Sequence, residues 1–253
     1  YKKKITEISA SQKLYNFRNK NKNFLFPSFP TISGTGPNGA IIHYRASKKT
    51  NLQIKKGDIY LVDSGGQYKF GTTDVTRTIS LKNSDNRIKN IFTRVLKGHI
   101  AVANFNFKKN TTGAQIDKEA RKFLKKIGLD YAHGTGHGVG YFLNVHEGPQ
   151  SISKSNKTCF YEGMIISNEP GYYEKNNFGI RIENLIYVKK EKKRKYFENL
   201  TMVPIDKDLI DSNFLNNNEK NWLNSYHKHV FNKLKKAMNK TQLLELKKAC
   251  SAI

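Results

Sequence analysis

Five side chains able to bind metal occur in this chain, four of them in or at the end of predicted strands, and this placement constrains the fold more than any other feature. They occur in LVDSGG, GTTDVTRT, HGTGHGVG, SNEPGYY and IRIENL as Asp63, Asp74, His137, Glu169 and Glu183. A carboxylate among apolar or β-branched neighbours is costly to bury unless something neutralises it. We therefore expect a fold that brings these five residues together.

The charge of the four carboxylates indicates how many cations they need. Together they carry about −4, which two divalent ions cancel, whereas one metal or a salt bridge leaves like charges crowded. Oxygen-rich ligation with one imidazole favours Mn²⁺, with Zn²⁺ or Co²⁺ as substitutes. Cys159 and Cys250 are far apart in sequence, so we expect neither a disulfide framework nor a thiolate site.

Each candidate ligand also has a structural interpretation when it is taken alone. Asp63 lies two residues before Gly65 and suits a turn, Asp74 is placed to pair with Arg77, and Glu183 is placed to pair with Arg181. Five such residues in one chain are harder to explain separately. Their coincidence favours a metal site.

A second group of histidines accompanies the candidate ligands. His133 adjoins Gly134, so the backbone there can bend sharply and approach a ligand closely. His146 follows in LNVHEGP, and His43 comes after a turn in GPNGAIIHYRA. One histidine on a strand is more often a satisfied core residue than a catalyst. Four of the seven histidines, however, lie in segments that lead to candidate ligands, which favours a functional role.

Hydrophobic patterning predicts one α+β domain without an internal break. A chain of 253 residues is long for one domain and short for two. The first predicted helix rests on the helix-like spacing of Ile5, Ile8, Leu14 and Phe17. The predicted helices cover residues 4–20, 86–101 and 116–124, with a helical extension over 207–253. The predicted strands cover residues 58–63, 72–81, 164–167, 179–188 and 196–204.

Composition argues against two classes of partner. The net charge of +25 arises from 45 basic and 20 acidic residues, which on its face suggests nucleic acid. The lysines are scattered among asparagines and no nucleic-acid-binding motif organises them, so we interpret them as a solvated surface and expect no specific nucleic acid partner. No apolar run approaches the roughly 20 residues of a membrane span, so we expect no membrane partner.

The order of the five candidate ligands resembles that of a known family. Asp63 and Asp74 are eleven residues apart and Glu169 and Glu183 fourteen apart, as in the pita-bread metallopeptidases, which include methionine aminopeptidase, prolidase and aminopeptidase P. Within this group, the segments LVDSGGQYKFGTTDVTRT, YAHGTGHGVGYFLNVHEGP, SNEPGYYE and FGIRIENL resemble X-Pro aminopeptidases of the eukaryotic cytosolic type. The resemblance implies an α+β fold with a curved antiparallel sheet flanked by helices.

The resemblance also implies an activity and residue roles. The activity is hydrolysis of the N-terminal Xaa-Pro bond of peptides with proline at the second position, through a hydroxide that bridges two divalent metals. The implied metal ligands are Asp63, Asp74, His137, Glu169 and Glu183, with Asp74 and Glu183 bridging. The implied catalytic residues are Glu169 as proton shuttle, His146 and His43 as oxyanion donors, and His133. The residues implied to line the substrate pocket are His43, His133, His146 and Arg181.

Features beyond the catalytic centre follow from the same resemblance. We expect residues 1–253 to form the catalytic domain, with the family's upstream domains absent from this sequence. We also expect a homodimer, in part from the apolar surface of Trp222, Tyr226, Val230 and Phe231. The expected location is the cytoplasm, or a digestive or other vacuolar compartment if a leader is missing.

Three alternatives share the fold. Prolidase is restricted to dipeptides, and methionine aminopeptidase has the same metal centre with a different specificity. A pita-bread binding module that has lost catalysis is the non-enzyme alternative, which the five intact ligand positions disfavour.

Overall fold

The computed structural model describes residues 4–82 and 85–253, and within these ranges the chain is an α+β structure, as predicted. The helices are α1 (Glu7–Arg18), α2 (Asn86–Ala103), α3 (Gly113–Lys125), α4 (Asn217–Leu234) and α5 (Lys240–Ala249). The strands are β1 (Phe24–Phe26), β2 (Ile32–Thr35), β3 (Ile59–Ser64), β4 (Gln67–Tyr68), β5 (Gly71–Thr72), β6 (Val75–Ser80), β7 (Gly136–His137), β8 (Ser151–Ile152), β9 (Ile165–Asn168), β10 (Gly171–Glu174), β11 (Phe178–Arg181), β12 (Asn184–Glu191) and β13 (Arg194–Asn199).

Small antiparallel sheets carry the candidate ligands. One sheet has the strand order β2-β3-β6, and a second has the order β13-β12-β9. In the first, Asp63 of β3 lies opposite Thr76 of β6, so the strands predicted over residues 58–63 and 72–81 are both present and pair antiparallel. Two further sheets have two strands each, β7-β8 and β10-β11, and β7 carries the candidate ligand His137.

Helix α2 forms the centre of the larger hydrophobic core. Its predicted apolar stripe is confirmed, because Ile91, Phe92, Val95 and Leu96 are all buried. The Asp85 side chain caps the helix by accepting the backbone N–H of Ile88 at 2.7 Å. The stripe packs on the strands that precede the C-terminal helices and on α4 itself.

Helix α1 forms where it was predicted, but its apolar residues do not make a buried face. Ile5 and Phe17 are 57% and 54% exposed, and the buried residue of the helix is Glu7. The helix is held to the domain by hydrogen bonds to that carboxylate, and a hydrophobic period carries no information about such bonds. The spacing of the apolar residues therefore predicted that α1 is a helix, but it did not predict which face of the helix is buried.

The predicted strand over residues 179–188 is two strands. β11 pairs with β10, whereas β12 pairs with β9 and β13, so the chain changes sheets between Arg181 and Asn184. At this break the backbone N–H of Glu183 donates to the Thr76 carbonyl at 3.1 Å. The predicted strand over 196–204 likewise ends early, at Asn199.

The C-terminal helices pack on the rest of the chain. Tyr226 and Val230 are buried, and the Trp222 ring stacks on Tyr226 with centroids 5.4 Å apart. The apolar surface that prompted the homodimer prediction is therefore largely covered within the chain. Among the described residues, every helix is too short or too polar to cross a membrane.

Two histidines are buried in helices α2 and α4. His99 of α2 faces the Asn168 carbonyl across 3.1 Å, and His227 of α4 accepts the backbone N–H of Ile205 at 3.1 Å through Nε2. Burial lowers the pKa of His99 to about 3 and that of His227 to about 4. Both rings are therefore neutral when the chain is folded, while in the unfolded chain they bind protons below about pH 6.5.

We predict that acid destabilises the protein in part through His227. Because the pKa is depressed in the folded chain, the stability is present above about pH 6.5 and is lost as pH falls toward 4, by about 1.4 kcal/mol per pH unit. His227→Gln, which keeps an acceptor for Ile205, should remove about 2 kcal/mol of the loss between pH 7 and pH 5. Urea unfolding followed by Trp222 fluorescence measures it.

The matched control is His229→Gln, because His229 lies on the same helix and is exposed. It should keep the pH dependence of the original chain. If His227→Gln shows that same dependence, the burial of a neutral His227 does not contribute to acid sensitivity.

Candidate metal centre and substrate cavity

The nine residues that were predicted from the sequence to form the site all line one cavity, which has a volume of about 300 Å³. Strands β3 and β7 and the ends of β6 and β9 supply four of the five candidate ligands, and the fifth comes from the break between β11 and β12. The nine residues are His43, Asp63, Asp74, His133, His137, His146, Glu169, Arg181 and Glu183. The fold therefore brings together the residues that the sequence identified. Their individual roles are a separate question.

The inner wall of the cavity is a cluster of acidic groups around one imidazole. Asp74, His137 and Glu183 each offer a ligand atom, and these atoms all lie within 4.8 Å of one another. His137 Nε2 is 3.5 Å from Asp74 Oδ2 and 3.2 Å from Glu169 Oε1. Asp63, Asp74 and Glu183 are buried, so water screens their charges poorly.

The ionisation of this cluster shows that it requires positive charge. Burial, with the charges of Asp63 and Glu169, raises the pKa of Asp74 to about 7. Burial and the charge of Asp74 raise the pKa of Glu183 well above its ordinary value. Burial alone would lower the pKa of His137, but hydrogen bonds to Asp74 and Glu169 outweigh it and raise that pKa to about 11. Protons or divalent cations supply the charge that these groups need.

Two observations on donor atoms fit metal ions. Asp63 Oδ1 and Asp74 Oδ1 are buried oxygens without a hydrogen-bond partner in the described residues, as a metal ligand would be. His137 Nδ1 lies 2.8 Å from the Gly138 carbonyl, which can only accept, so the N–H is on Nδ1. A metal ion at Nε2 would take the place of the proton that this nitrogen otherwise shares with Asp74 and Glu169, so the ring is oriented for metal binding.

A chain of hydrogen bonds links Asp63 to His133. Arg181 donates to Asp63 Oδ2 at 2.7 Å and to the Tyr173 hydroxyl at 2.6 Å. That hydroxyl lies 2.8 Å from His133 Nε2, and His133 Nδ1 lies 2.7 Å from the Gly134 carbonyl. Both ring nitrogens are thus engaged, and His133 is fixed in one orientation. The sequence analysis did not identify Tyr173 as the residue that connects Arg181 to His133.

The simple ion pairs that competed with a metal site are absent from the described residues. Arg77 does not pair with Asp74; its Nη1 donates to the Glu183 carbonyl, and its Nη2 to Asn184 Oδ1 at 2.7 Å. Arg181 pairs with Asp63 and not with Glu183. Asp74 and Glu183 therefore have no arginine to neutralise them.

The segment that carries His133 and His137 is held by Arg121 of α3. Its Nε donates to Asp117 at 2.7 Å, and its other nitrogens donate to the carbonyls of Tyr131 at 2.7 Å and His133 at 2.6 Å. Thr135 donates to the second oxygen of Asp117 at 2.7 Å. Arg121 and Asp117 are both 2% exposed. Sequence reasoning missed this pair, whose only local signal is the i, i+4 spacing of opposite charges on a helix.

Glu7 holds the cavity loop, which we define as residues 41–52 and which carries His43. The loop is tied to its carboxylate by the backbone N–H of Leu52 at 2.9 Å and the Tyr44 hydroxyl at 3.0 Å. The Thr35 N–H donates to the other oxygen at 2.8 Å. A fully buried glutamate thus fixes the backbone beside a cavity residue.

We predict that Arg121→Met destabilises the protein by about 3–5 kcal/mol, because it leaves the Asp117 carboxylate buried without its counter-ion. Urea unfolding at pH 7 measures the change. Lys118→Met is the matched control, since Lys118 is exposed on the same helix, and it should change stability by no more than about 0.5 kcal/mol. Equal effects of the two substitutions would contradict a supporting role for Arg121.

The fold and the cavity together define a class. An α+β domain of antiparallel sheets and helices, with carboxylates and one histidine around a central cavity, is the pita-bread architecture. The chain belongs to metallopeptidase family M24. The model of that family matches residues 1–190, and the model of its C-terminal region matches residues 195–253.

Relatives of known name narrow the comparison. A probable Xaa-Pro aminopeptidase P of Laccaria bicolor is 48% identical and covers 98% of this chain and 41% of the relative. Aminopeptidase P2 of Arabidopsis thaliana is also 48% identical, with coverages of 91% and 34%. The chain thus spans about two fifths or less of the length of these curated relatives.

Solved structures agree with this placement. The X-prolyl aminopeptidase of Caenorhabditis elegans, described as a cytosolic enzyme with a di-nuclear active site, superposes with a TM-score of 0.94 at 37% identity, over 100% of this chain and 43% of that one. Prolidase from Pyrococcus furiosus gives a TM-score of 0.70 at 30% identity, with coverages of 78% and 56%. The similarity to the Caenorhabditis elegans enzyme thus covers more of this chain than the similarity to the prolidase.

Proposed function

We propose that this chain is the catalytic part of a metal-dependent aminopeptidase that hydrolyses the bond between an N-terminal residue and proline. The observation that carries the proposal is the convergence of four carboxylates and one imidazole on a single cavity. The similarity to Xaa-Pro aminopeptidases over nearly the whole chain supports the choice of substrate.

We propose two divalent ions as cofactors, with Mn²⁺ as the native metal. The residues that would hold them are Asp63, Asp74, His137, Glu169 and Glu183. Ligand atoms of Asp74, His137 and Glu183 lie within 4.8 Å of one another, which supports this set. On the family resemblance, Asp74 and Glu183 would each contact both ions. When bound, such a pair of ions polarises the scissile carbonyl and lowers the pKa of a water between them toward about 7.

Glu169 is proposed to move the proton. Proline makes the leaving group a tertiary amide nitrogen without an N–H, so a proton must reach that nitrogen as the bond breaks. Glu169 accepts the Ser167 hydroxyl at 2.9 Å and lies 3.2 Å from His137 Nε2, which fixes its carboxylate at the cavity. A fixed carboxylate is suited to take up the proton of the attacking water and deliver it to the proline nitrogen.

The histidines that do not ligate metal are proposed to bind and stabilise the substrate. His146 is exposed in the cavity, with its ring centroid 4.0 Å from that of His137, and His43 lines the same cavity. Both are proposed to donate to the oxyanion that develops on the scissile carbonyl. His133, whose nitrogens are engaged, would present its ring to the substrate, and Arg181 would shape the wall around proline.

The remaining proposals concern the chain as a whole. We propose a cytoplasmic location, in line with the cytosolic description of the Caenorhabditis elegans enzyme. We retain the homodimer and the interpretation of residues 1–253 as one catalytic domain as proposals that rest on the family resemblance. Light scattering at micromolar concentration tests the dimer.

We predict that the fully active protein binds two metal ions per chain and that Mn²⁺ restores activity after chelation, because two divalent charges match the four carboxylates. Asp74→Asn should lose metal and activity together. His146→Ala should keep both ions and lower kcat at least tenfold, since one oxyanion donor typically contributes about 10²–10³ in kcat. Elemental analysis and steady-state kinetics measure these effects. Full activity with one ion per chain would contradict the dinuclear site.

We predict that the protein releases the first residue from Arg-Pro-Pro and leaves Met-Ala-Ser intact, because the cavity is proposed to accept a proline ring on the leaving side. Product analysis by mass spectrometry measures both. The dipeptide Arg-Pro is the control for prolidase activity and should be cleaved more slowly than the tripeptide. Faster release of methionine from Met-Ala-Ser would overturn the proposal in favour of methionine aminopeptidase.

A further inference from the structure

The cavity contains two arginines, and their surroundings differ. Arg181 is buried, and all three of its nitrogens donate within the fold, to Asp63 at 2.7 Å, to Tyr173 at 2.6 Å and to Thr76 at 3.1 Å. Three of its five N–H groups are thus used within the fold, and its charge is paired with Asp63. Its guanidinium is part of the wall.

Arg45 lines the same cavity with its side chain exposed. Its Nη1 donates to the Pro30 carbonyl at 2.7 Å and approaches the Tyr44 carbonyl at 3.5 Å. Within the part of the chain that the structure describes, it forms no ion pair, and its Nε and Nη2 have no hydrogen-bond partner. Arg45 therefore faces the cavity with a full positive charge and unused donors.

The position of Arg45 is fixed on both sides. The preceding residue, Tyr44, is buried, and its hydroxyl lies 3.0 Å from both Glu7 Oε2 and the Thr50 carbonyl. The bond from Nη1 to Pro30 holds the guanidinium itself. A group held in place before binding loses less conformational freedom when a ligand arrives.

The charges of the cavity give Arg45 a specific use. With the two proposed divalent ions balancing the four carboxylates, the exposed guanidinium of Arg45 is free to attract a carboxylate that a bound peptide carries. Because the proposed reaction cleaves the first peptide bond at the ligand cluster, the rest of the peptide extends away from that cluster through the cavity that Arg45 also lines. Only eight of the 45 basic residues of this lysine-rich chain are arginine, and a guanidinium is the cation that binds a carboxylate through two parallel hydrogen bonds.

We propose that Arg45 binds a substrate carboxylate on the far side of proline. This assignment rests on the proposed function and specifies its substrate class. The carboxylate is supplied either by the C-terminus of a short peptide or by an acidic side chain that follows proline. The site thus favours short or acidic Xaa-Pro peptides over neutral, blocked ones.

Three matched peptides test the proposal: Ala-Pro-Ala as the free acid, Ala-Pro-Ala amide, and Ala-Pro-Glu amide. The metal-loaded chain should show a kcat/KM about two- to fivefold higher for one or both carboxylate peptides than for the neutral amide, the scale of an ion pair that stays in contact with water. Arg45→Gln should reduce that ratio to about one, and Arg45→Lys should retain part of it. Circular dichroism confirms that each variant is folded.

Arg194→Gln is the matched control, because Arg194 is exposed on β13 and lies outside the cavity, and it should keep the original ratio. A preference for the free acid alone identifies the C-terminus as the source of the carboxylate, and a preference for the Glu peptide alone identifies the side chain. No preference in the original chain, or the same preference in Arg45→Gln, overturns the role of Arg45. Failure to cleave all three peptides overturns the proposed function, and this assignment with it.

Discussion

Repulsion between buried carboxylates is the constraint on which the rest of this structure depends. Each of the four has at least one fixed partner from another segment of the chain: Arg181 for Asp63, His137 for Asp74 and Glu169, and Thr76 for Glu183. These contacts orient the oxygens without neutralising the whole cluster. The fold therefore keeps a concentrated negative potential at the base of a small cavity, which is a condition for binding divalent cations tightly.

The backbone is arranged so that this cluster can form. Glu183 lies where the chain leaves one sheet for another, a position at which its side chain is free of the alternation that a continuous strand would impose. Behind it, Arg77 donates to the Glu183 carbonyl and, at 3.0 Å, to the Tyr226 hydroxyl of α4. Helix α4 is thus connected to the backbone of a cavity residue through the buried guanidinium of Arg77.

The sequence revealed the cavity residues better than the groups that support them. Asp63 and His137 stand in glycine-rich or β-rich motifs whose chemistry is local, and the structure places them around one cavity. Glu7 and Arg121 act through partners that include residues distant in sequence. Hydrophobic periodicity and residue spacing cannot predict a hydrogen bond such as that from Leu52 to Glu7. Helix α2 was predictable because its buried face is apolar; α1 was misjudged because its buried group is charged.

The hairpin of β12 and β13 lies at the boundary between the two regions of the chain that the family models match. The two family matches end at residue 190 and begin at residue 195, so the boundary between them falls at the tip of this hairpin. The two strands pair from Ile186 with Asn199 to Glu191 with Arg194. A cut at that point would remove β13 from β12, which would keep β9 on its other side, and would expose a row of unpaired backbone groups. The boundary between the two matched regions therefore divides one three-stranded sheet, so that the first region lacks an edge strand and the second carries β13 without its partner.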